Sequence, residues 1–216
     1  MIKKCGILLL SVFLLSACAQ KTETTPTKTK NESETTKVNT APKKKMEVTT
    51  MKLTTREKNL LNAVAGEVYG FDVKGLTKEN KEIFIIVEQY KNGKLLSSET
   101  SEFSASLNQD ETNEKANILI LLEHEDDDLK IHRSILLDDG ISSVAKGKSS
   151  VPFKVDSVSS SVELPVHLTS GKKALIAYVS AMEEDGTHVN VQDIQTNPKK
   201  ALKNTSRAFL FYVQVD

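Results

Sequence analysis

The sequence predicts a mainly β protein whose folded part is an antiparallel β-sandwich preceded by one short helix. Short runs of β-branched and aromatic residues recur from residue 67 onward, and turn residues such as Asn92-Gly93 separate them. Strands do not alternate with long amphipathic helices, which argues against a parallel sheet. The spacing is typical of about seven to nine short antiparallel strands.

The first seventeen residues are predicted to be a secretory signal peptide. Lys3 and Lys4 precede an apolar run from Ile7 to Leu15. As a helix this run would rise only ~14 Å, against a hydrocarbon core of ~30 Å. The segment is therefore too short to span a membrane and reads as a signal segment.

The run ends in Leu15-Ser16-Ala17-Cys18, which resembles the lipobox of bacterial lipoprotein precursors. The resemblance implies that the Cys18 thiol receives a diacylglyceryl group and becomes the new N-terminus after cleavage. It also implies a lipid-anchored protein on the extracytoplasmic side of the cell membrane, because two acyl chains hold a protein firmly. Cys5 lies in the removed peptide, so the mature chain keeps Cys18 alone and has no partner for a disulfide within the chain.

Residues 18–46 are predicted to be a disordered tether, and residues 47–216 a single folded domain. The tether is rich in Thr and Lys and holds seven Lys against three Glu, a net charge of +4. It has too few apolar side chains to offset its conformational entropy. The domain holds twenty Lys or Arg against twenty-six Asp or Glu, a net charge of −6, which argues against nucleic acid as a partner.

The domain should begin with the helix. Thr54 and Glu57 have the spacing of a capping box, and Leu60, Leu61 and Val64 recur on one helical face before Gly66. We expect one short helix that ends there.

The next segments predict strands joined by tight turns. Tyr69, Phe71 and Val73 alternate on one face. Asn92-Gly93 then follows an apolar run directly, which favours a two-residue type I′ hairpin turn. We expect the partner strand to run through residues 95 and 96 towards Phe103.

A second hairpin is predicted around a two-residue turn at Asp126-Asp127. This turn places Glu123 opposite Lys130 and Leu122 opposite Ile131. The register pairs opposite charges on one face and apolar side chains on the other, which stabilises an antiparallel pair.

Residues 162–182 predict two strands around a turn at Ser170-Gly171, and residues 207–215 a last strand. Pro165 indicates an edge position or a bulge in the first strand of that pair. The segment is similar to the late strands of bacterial immunoglobulin-like and carbohydrate-binding sandwiches. The resemblance implies an immunoglobulin-like or jelly-roll-like sandwich.

Few residues suggest metal chemistry. The acidic run at residues 123–128 is either a divalent-cation loop or an exposed hairpin tip, and it lacks the residue order of a dedicated calcium loop. His124 and His132, on opposite arms of the hairpin, could bind zinc together with Glu123 or Asp128. His167 and His188 lack acidic or Cys neighbours at ligand spacing. We predict no metal site and no cofactor.

No catalytic motif is present in the sequence. A phosphate-binding glycine loop, a G-x-S-x-G elbow and an H-E-x-x-H pair are all missing. The chain has no Trp, and its four Tyr fall inside predicted strands, so stacking platforms for sugars are not evident. The sequence therefore predicts a lipid-anchored, non-catalytic module that binds an envelope protein or polymer. A small envelope hydrolase and a cation-dependent adhesion module are the alternatives.

Overall fold

Two antiparallel sheets of six strands each contain most of the folded residues. The computed structural model describes residues 45–97, 100–107, 115–125, 128–137, 142–152, 157–181 and 189–216. Within these ranges the chain has twelve strands and three short helices. The predicted mainly β, antiparallel class is therefore confirmed.

The strands, in chain order, are β1 Glu47–Thr50, β2 Glu67–Lys74, β3 Glu82–Lys91, β4 Lys94–Leu95, β5 Ser101–Ser106, β6 Lys115–Glu125, β7 Asp128–Leu137, β8 Ser142–Pro152, β9 Ser157–Ser161, β10 Val166–His167, β11 Ala174–Ala181 and β12 Ala208–Val215. The helices are α1 Thr55–Val64, α2 Val191–Thr196 and α3 Pro198–Ala201. None of these helices has the length and apolar character that a membrane crossing requires.

The two sheets have different strand orders. Sheet I runs β10-β1-β2-β6-β7-β8. Sheet II runs β9-β11-β12-β3, and both β4 and β5 pair with the remaining edge of β3. The C-terminal strand β12 therefore lies in the interior of sheet II, paired on both sides.

The main core lies between the sheets and takes side chains from both. Phe71 and Ile120 contribute from sheet I, and Ile85, Phe209 and Phe211 contribute from sheet II; all five are at most 2% exposed. Burial of such side chains is the main favourable term in folding.

A second apolar cluster covers the outer face of sheet II. Ile194 of α2 and Leu202, which follows α3, are buried against this face, where Leu210 of β12 is also buried. These helices correct the expectation of a single helix with only strands after it. The signals for them are short: Asn190 and Asn197 cap the two helices, and Pro198 takes the first position of α3, where its missing N–H costs nothing.

Helix α1 has the predicted start. The side chain of Thr54 accepts from the backbone of Glu57, and the Glu57 side chain accepts from the backbone of Thr54, so the capping box is present. None of the helix residues is buried, and Leu60 and Val64 are 60% and 73% exposed. The helix therefore contributes no buried side chain to the core between the sheets.

The predicted positive φ angles of the first hairpin turn and the predicted register of the second hairpin are both confirmed. Asn92 and Gly93 have φ angles of +50° and +70° and connect β3 directly to β4. Glu123 pairs with Lys130, and the neighbouring apolar pair is also as predicted. The partner strand of the first hairpin is interrupted, however: β4 ends at Leu95 and β5 resumes the pairing with β3 from Ser101.

The strands at residues 162–182 do not form the predicted hairpin. Strand β10 pairs with β1 in sheet I, where Val166 lies opposite Val48, whereas β11 lies in sheet II. The turn between them carries the chain from one sheet to the other. At its start, Leu168 donates its N–H to the carbonyl oxygen of Met46, which precedes β1, and not to a residue of β11. Strand β11 pairs instead with β9.

Several predictions fall outside the described residues. They concern the signal peptide and the lipobox residues Leu15, Ser16, Ala17 and Cys18, the tether as far as residue 44, the turn residues 126 and 127, and the acidic turns around residues 138–140 and 183–186.

Candidate ligand-binding pocket on sheet II

A pocket of about 430 Å³ opens on the outer face of sheet II, beside α2 and α3. Strands β3 and β12 supply its floor, and residues from the start of β11 and from the two helices supply its walls. The lining residues are Glu88, Tyr90, Val166, Lys173, Ala174, Leu175, Ile194, Gln195, Pro198 and Tyr212.

Glu88 is the buried charge of this pocket. Strand alternation in β3 directs Ile83, Ile85 and Val87 into the main core and leaves Glu88 on the other face. There it would be exposed on a bare sheet, but the helices cover the face and the side chain is only 8% exposed. A buried carboxylate must be paired and hydrogen-bonded to be tolerated.

Two tyrosines lie beside that carboxylate. The Tyr90 hydroxyl donates to Oε2 of Glu88 at 3.1 Å. The Tyr212 hydroxyl interacts with both Glu88 and Tyr90. Burial and the negative charge of Glu88 raise the pKa of both tyrosines above its usual value. Both hydroxyls therefore stay protonated as donors across the physiological range.

Lys173 pairs with the other oxygen of the Glu88 carboxylate. Its ammonium group forms an ion pair with Oε1 of Glu88 and lies 4.4 Å from the centre of the Tyr212 ring. This distance is within the range of a cation–π interaction. The Lys173 side chain is 42% exposed, so the cation is on the solvent side of the pair and the anion is on the buried side.

The remaining walls are largely apolar. Val166 and Leu175 line one side, and Ile194 and Pro198 line the side formed by the helices. The pocket thus combines an apolar wall with one fixed carboxylate and one aromatic face. This combination of apolar walls and few polar groups is typical of small-molecule sites.

The carboxylate of the pocket is already hydrogen-bonded. The described lining residues include no serine, cysteine or histidine. The one carboxylate among them already accepts from Lys173 and Tyr90, so it is engaged as an acceptor rather than poised as a general base.

The sequence-predicted histidines are not brought together. His132 contacts Glu123 at 3.1 Å on the outer face of sheet I, and the Lys130 ammonium lies 3.8 Å from the same carboxylate. His124 lies one residue further along β6, on the opposite face, with its Nε2 3.8 Å from Glu67. Within the described ranges no three His, Cys, Asp or Glu side chains are placed to share a metal ion.

The pocket residues were missed by the sequence reasoning. A usable signal was Glu88 itself, a charged residue inside the apolar run of β3. A second was the lack of alternation in β12, where six successive residues from Ala208 to Val213 are buried. A strand apolar on both faces indicates that something covers the second face as well.

Comparison with known proteins relates the chain to one family. The family model described as the YgaN domain matches residues 47–215, a span that contains both sheets and the pocket. A search of curated proteins and a search of solved structures found no match to the chain. Since the family model covers most of the sequence, the chain belongs to the YgaN domain family.

Proposed function

We propose that this protein is a lipoprotein anchored to the extracytoplasmic side of the cell membrane through Cys18, and that its β domain is a non-catalytic binding module. The lipobox-like residues 15–18 support the anchor. The pocket on sheet II supports the binding role, and it is the observation on which that role depends.

The pocket supports binding because it is concave and is lined by both apolar and polar residues. Its polar groups are already paired with one another. Glu88, Tyr90 and Lys173 form one hydrogen-bonded group, so the floor is fixed before a ligand arrives. Pre-formed polar groups cost little ordering entropy when a ligand binds.

The sharing of one core by both sheets supports a β-sandwich of the immunoglobulin-like or jelly-roll-like kind as the scaffold. The partner in this proposal is an envelope protein or polymer, and the net charge of −6 on residues 47–216 argues against nucleic acid.

The anchor is tested by replacing the lipidated residue. In Cys18→Ala, we expect membrane fractionation to show uncleaved precursor or protein released to the medium. Mass spectrometry of the wild-type protein should find diacylglyceryl on Cys18. An unmodified Cys18 on membrane-held protein would contradict the anchor.

The binding role is tested by blocking the pocket. Gln195 lines the pocket from α2, whereas Gln192 of the same helix does not. Full-length protein carrying Gln195→Trp should lose partners that the wild-type protein captures from native membranes by cross-linking. The matched Gln192→Trp variant should keep them. Capture of the same partners by both variants would place the binding surface elsewhere.

A further inference from the structure

We propose that the pocket binds small molecules with a primary ammonium group on an apolar body, and that Lys173 fills the ammonium position when no ligand is bound. This inference rests on the binding function proposed above and names the ligand class. Lys173 then occupies the site in place of the ligand and competes with it.

The position of the Lys173 ammonium is a site suited to a cation. It lies beside the Glu88 carboxylate, which accepts its N–H, and at 4.4 Å from the Tyr212 ring centre. A carboxylate supplies a charge-assisted hydrogen bond, and the ring face adds attraction to the positive charge. The Tyr90 hydroxyl fixes the carboxylate by donating to its other oxygen.

Lys173 is also the member of the pair that can leave. It precedes β11 in the turn that carries the chain between the sheets, and its side chain is 42% exposed. Because this side chain is already partly exposed, its ammonium group can be hydrated once it leaves. Glu88, at 8% exposed in the middle of a paired strand, cannot follow it. Departure of the lysine therefore leaves a buried anion that an incoming ammonium group would pair.

The space beside the ammonium position fits an apolar body. The pocket volume of 430 Å³ falls in the range of small-ligand sites, about 300–1,000 Å³. Ile194, Leu175 and Val166 supply apolar contact. An anionic ligand is disfavoured, because the Tyr90 hydroxyl donates to Glu88 and the lysine charge is already neutralised by it.

The experiment compares two probes of the same shape. We would titrate 2-phenylethylamine and 2-phenylethanol into full-length, detergent-solubilised protein labelled at Ile methyl groups. The Ile194 methyl lines the pocket, and the Ile120 methyl in the main core is the reference. We expect the amine to shift the Ile194 signal with about tenfold higher affinity than the alcohol, as a charge-assisted contact with cation–π support allows.

Variants then test whether Lys173 competes with the ligand for this position. Lys173→Met removes the competing cation and should tighten amine binding about tenfold, since the fraction of open sites rises. Lys172→Met, at the adjacent exposed position, should leave it unchanged. Glu88→Gln has the same shape without the charge and should weaken amine binding about tenfold. An unchanged Ile120 signal in each variant shows that the core is intact.

The outcomes separate the two proposals. Equal binding of the amine and the alcohol, or full amine affinity in Glu88→Gln, would overturn the ammonium preference and leave the pocket as a binding site. Failure of both probes to move Ile194 would overturn the ligand class. Partner capture that is insensitive to Gln195→Trp would separately overturn the binding function.

Discussion

A side-chain carbon added to Gly93 would stand 2.4 Å from the backbone carbonyl oxygen of Lys199. The tip of the β3–β4 hairpin thus packs directly against the backbone of α3. The same carbon would lie 2.9 Å from the Cα of Lys203, and Asn92 donates its N–H to Thr205 at 2.9 Å. The hairpin and the segment from α3 to β12 therefore support each other.

Replacement of Gly93 should therefore destabilise the protein by more than the positive φ at this position would alone. Gly93→Ala places a side chain at a positive φ, which costs about 1–2 kcal/mol, and also forces backbone apart. We expect the free energy of unfolding to fall by about 2 kcal/mol more than in Gly171→Ala, given the usual cost of overpacking. Urea denaturation of both variants measures the difference.

Gly171 is a matched control, because it has a similar φ of +73° but open space where a side chain would go. Equal destabilisation of the two variants would show that the contact with α3 contributes nothing to stability.

The hairpin at Gly93 also shows what the sequence could predict. The turn type follows from two adjacent residues, and the register of β6 with β7 follows from local pairing of charges and apolar residues. Both were predicted correctly, because the information lies within a few residues of the feature itself.

The contact of the hairpin with α3 could not be predicted in this way. Helices α2 and α3 have six and four residues, too short for a reliable apolar period. They are stabilised by packing on a sheet face that includes β3, which is distant in the chain. The pocket depends on that packing, since Glu88 is buried only when the helices cover it. Its site residues were missed for the same reason.

The ion pair in the pocket should respond unequally to the loss of its two members. Lys173→Met leaves an anionic Glu88 that is 8% exposed, and we expect it to cost about 2 kcal/mol. Glu88→Gln leaves a lysine that can reach water, and should cost about 1 kcal/mol or less.

A double variant checks this reasoning. Lys173→Met combined with Glu88→Gln should be more stable than Lys173→Met alone, because the unpaired buried charge is gone. Thermal denaturation of the wild type, both single variants and the double variant completes the cycle. Simple addition of the two losses would contradict the ion pair as a coupled unit.

The buried tyrosines predict a loss of stability in alkali. Burial raises the pKa of Tyr178, and burial together with the charge of Glu88 raises the pKa of Tyr90 and Tyr212. The unfolded chain gives up these protons first, near pH ~10, so the stabilisation is complete below that pH and is lost as pH rises from there towards the folded values.

We expect the urea midpoint to fall between about pH 9 and about pH 11, and to fall less in Tyr212→Phe, which has one such proton fewer. The phenolate absorbance of the folded protein should also develop at higher pH than that of the urea-unfolded protein. Coincident titration curves would mean that the tyrosines are accessible in the folded state.

A buried arginine on sheet I gives the last prediction. Arg133 is only 6% exposed and faces sheet II, where its Nη1 donates to the hydroxyl of Ser101 at 3.1 Å and its guanidinium lies 5.9 Å from the centre of the Phe103 ring. Among the residues that the structure describes, no carboxylate pairs with it, and its Nε has no hydrogen-bond partner. Burial lowers the pKa of Arg133 below its usual value, because folding removes the charged guanidinium from water.

Replacing Arg133 with an apolar side chain of similar length should stabilise the domain. Arg133→Met removes the desolvation cost and keeps most of the packing, so we expect the free energy of unfolding to rise by about 1 kcal/mol. Arg133→Ala removes the packing as well and should lower it by about 1–2 kcal/mol. Urea denaturation at neutral pH measures both variants. A methionine variant as unstable as the alanine variant would contradict this reasoning. It would show that the Arg133 charge stabilises the fold through its hydrogen bonds to Ser101.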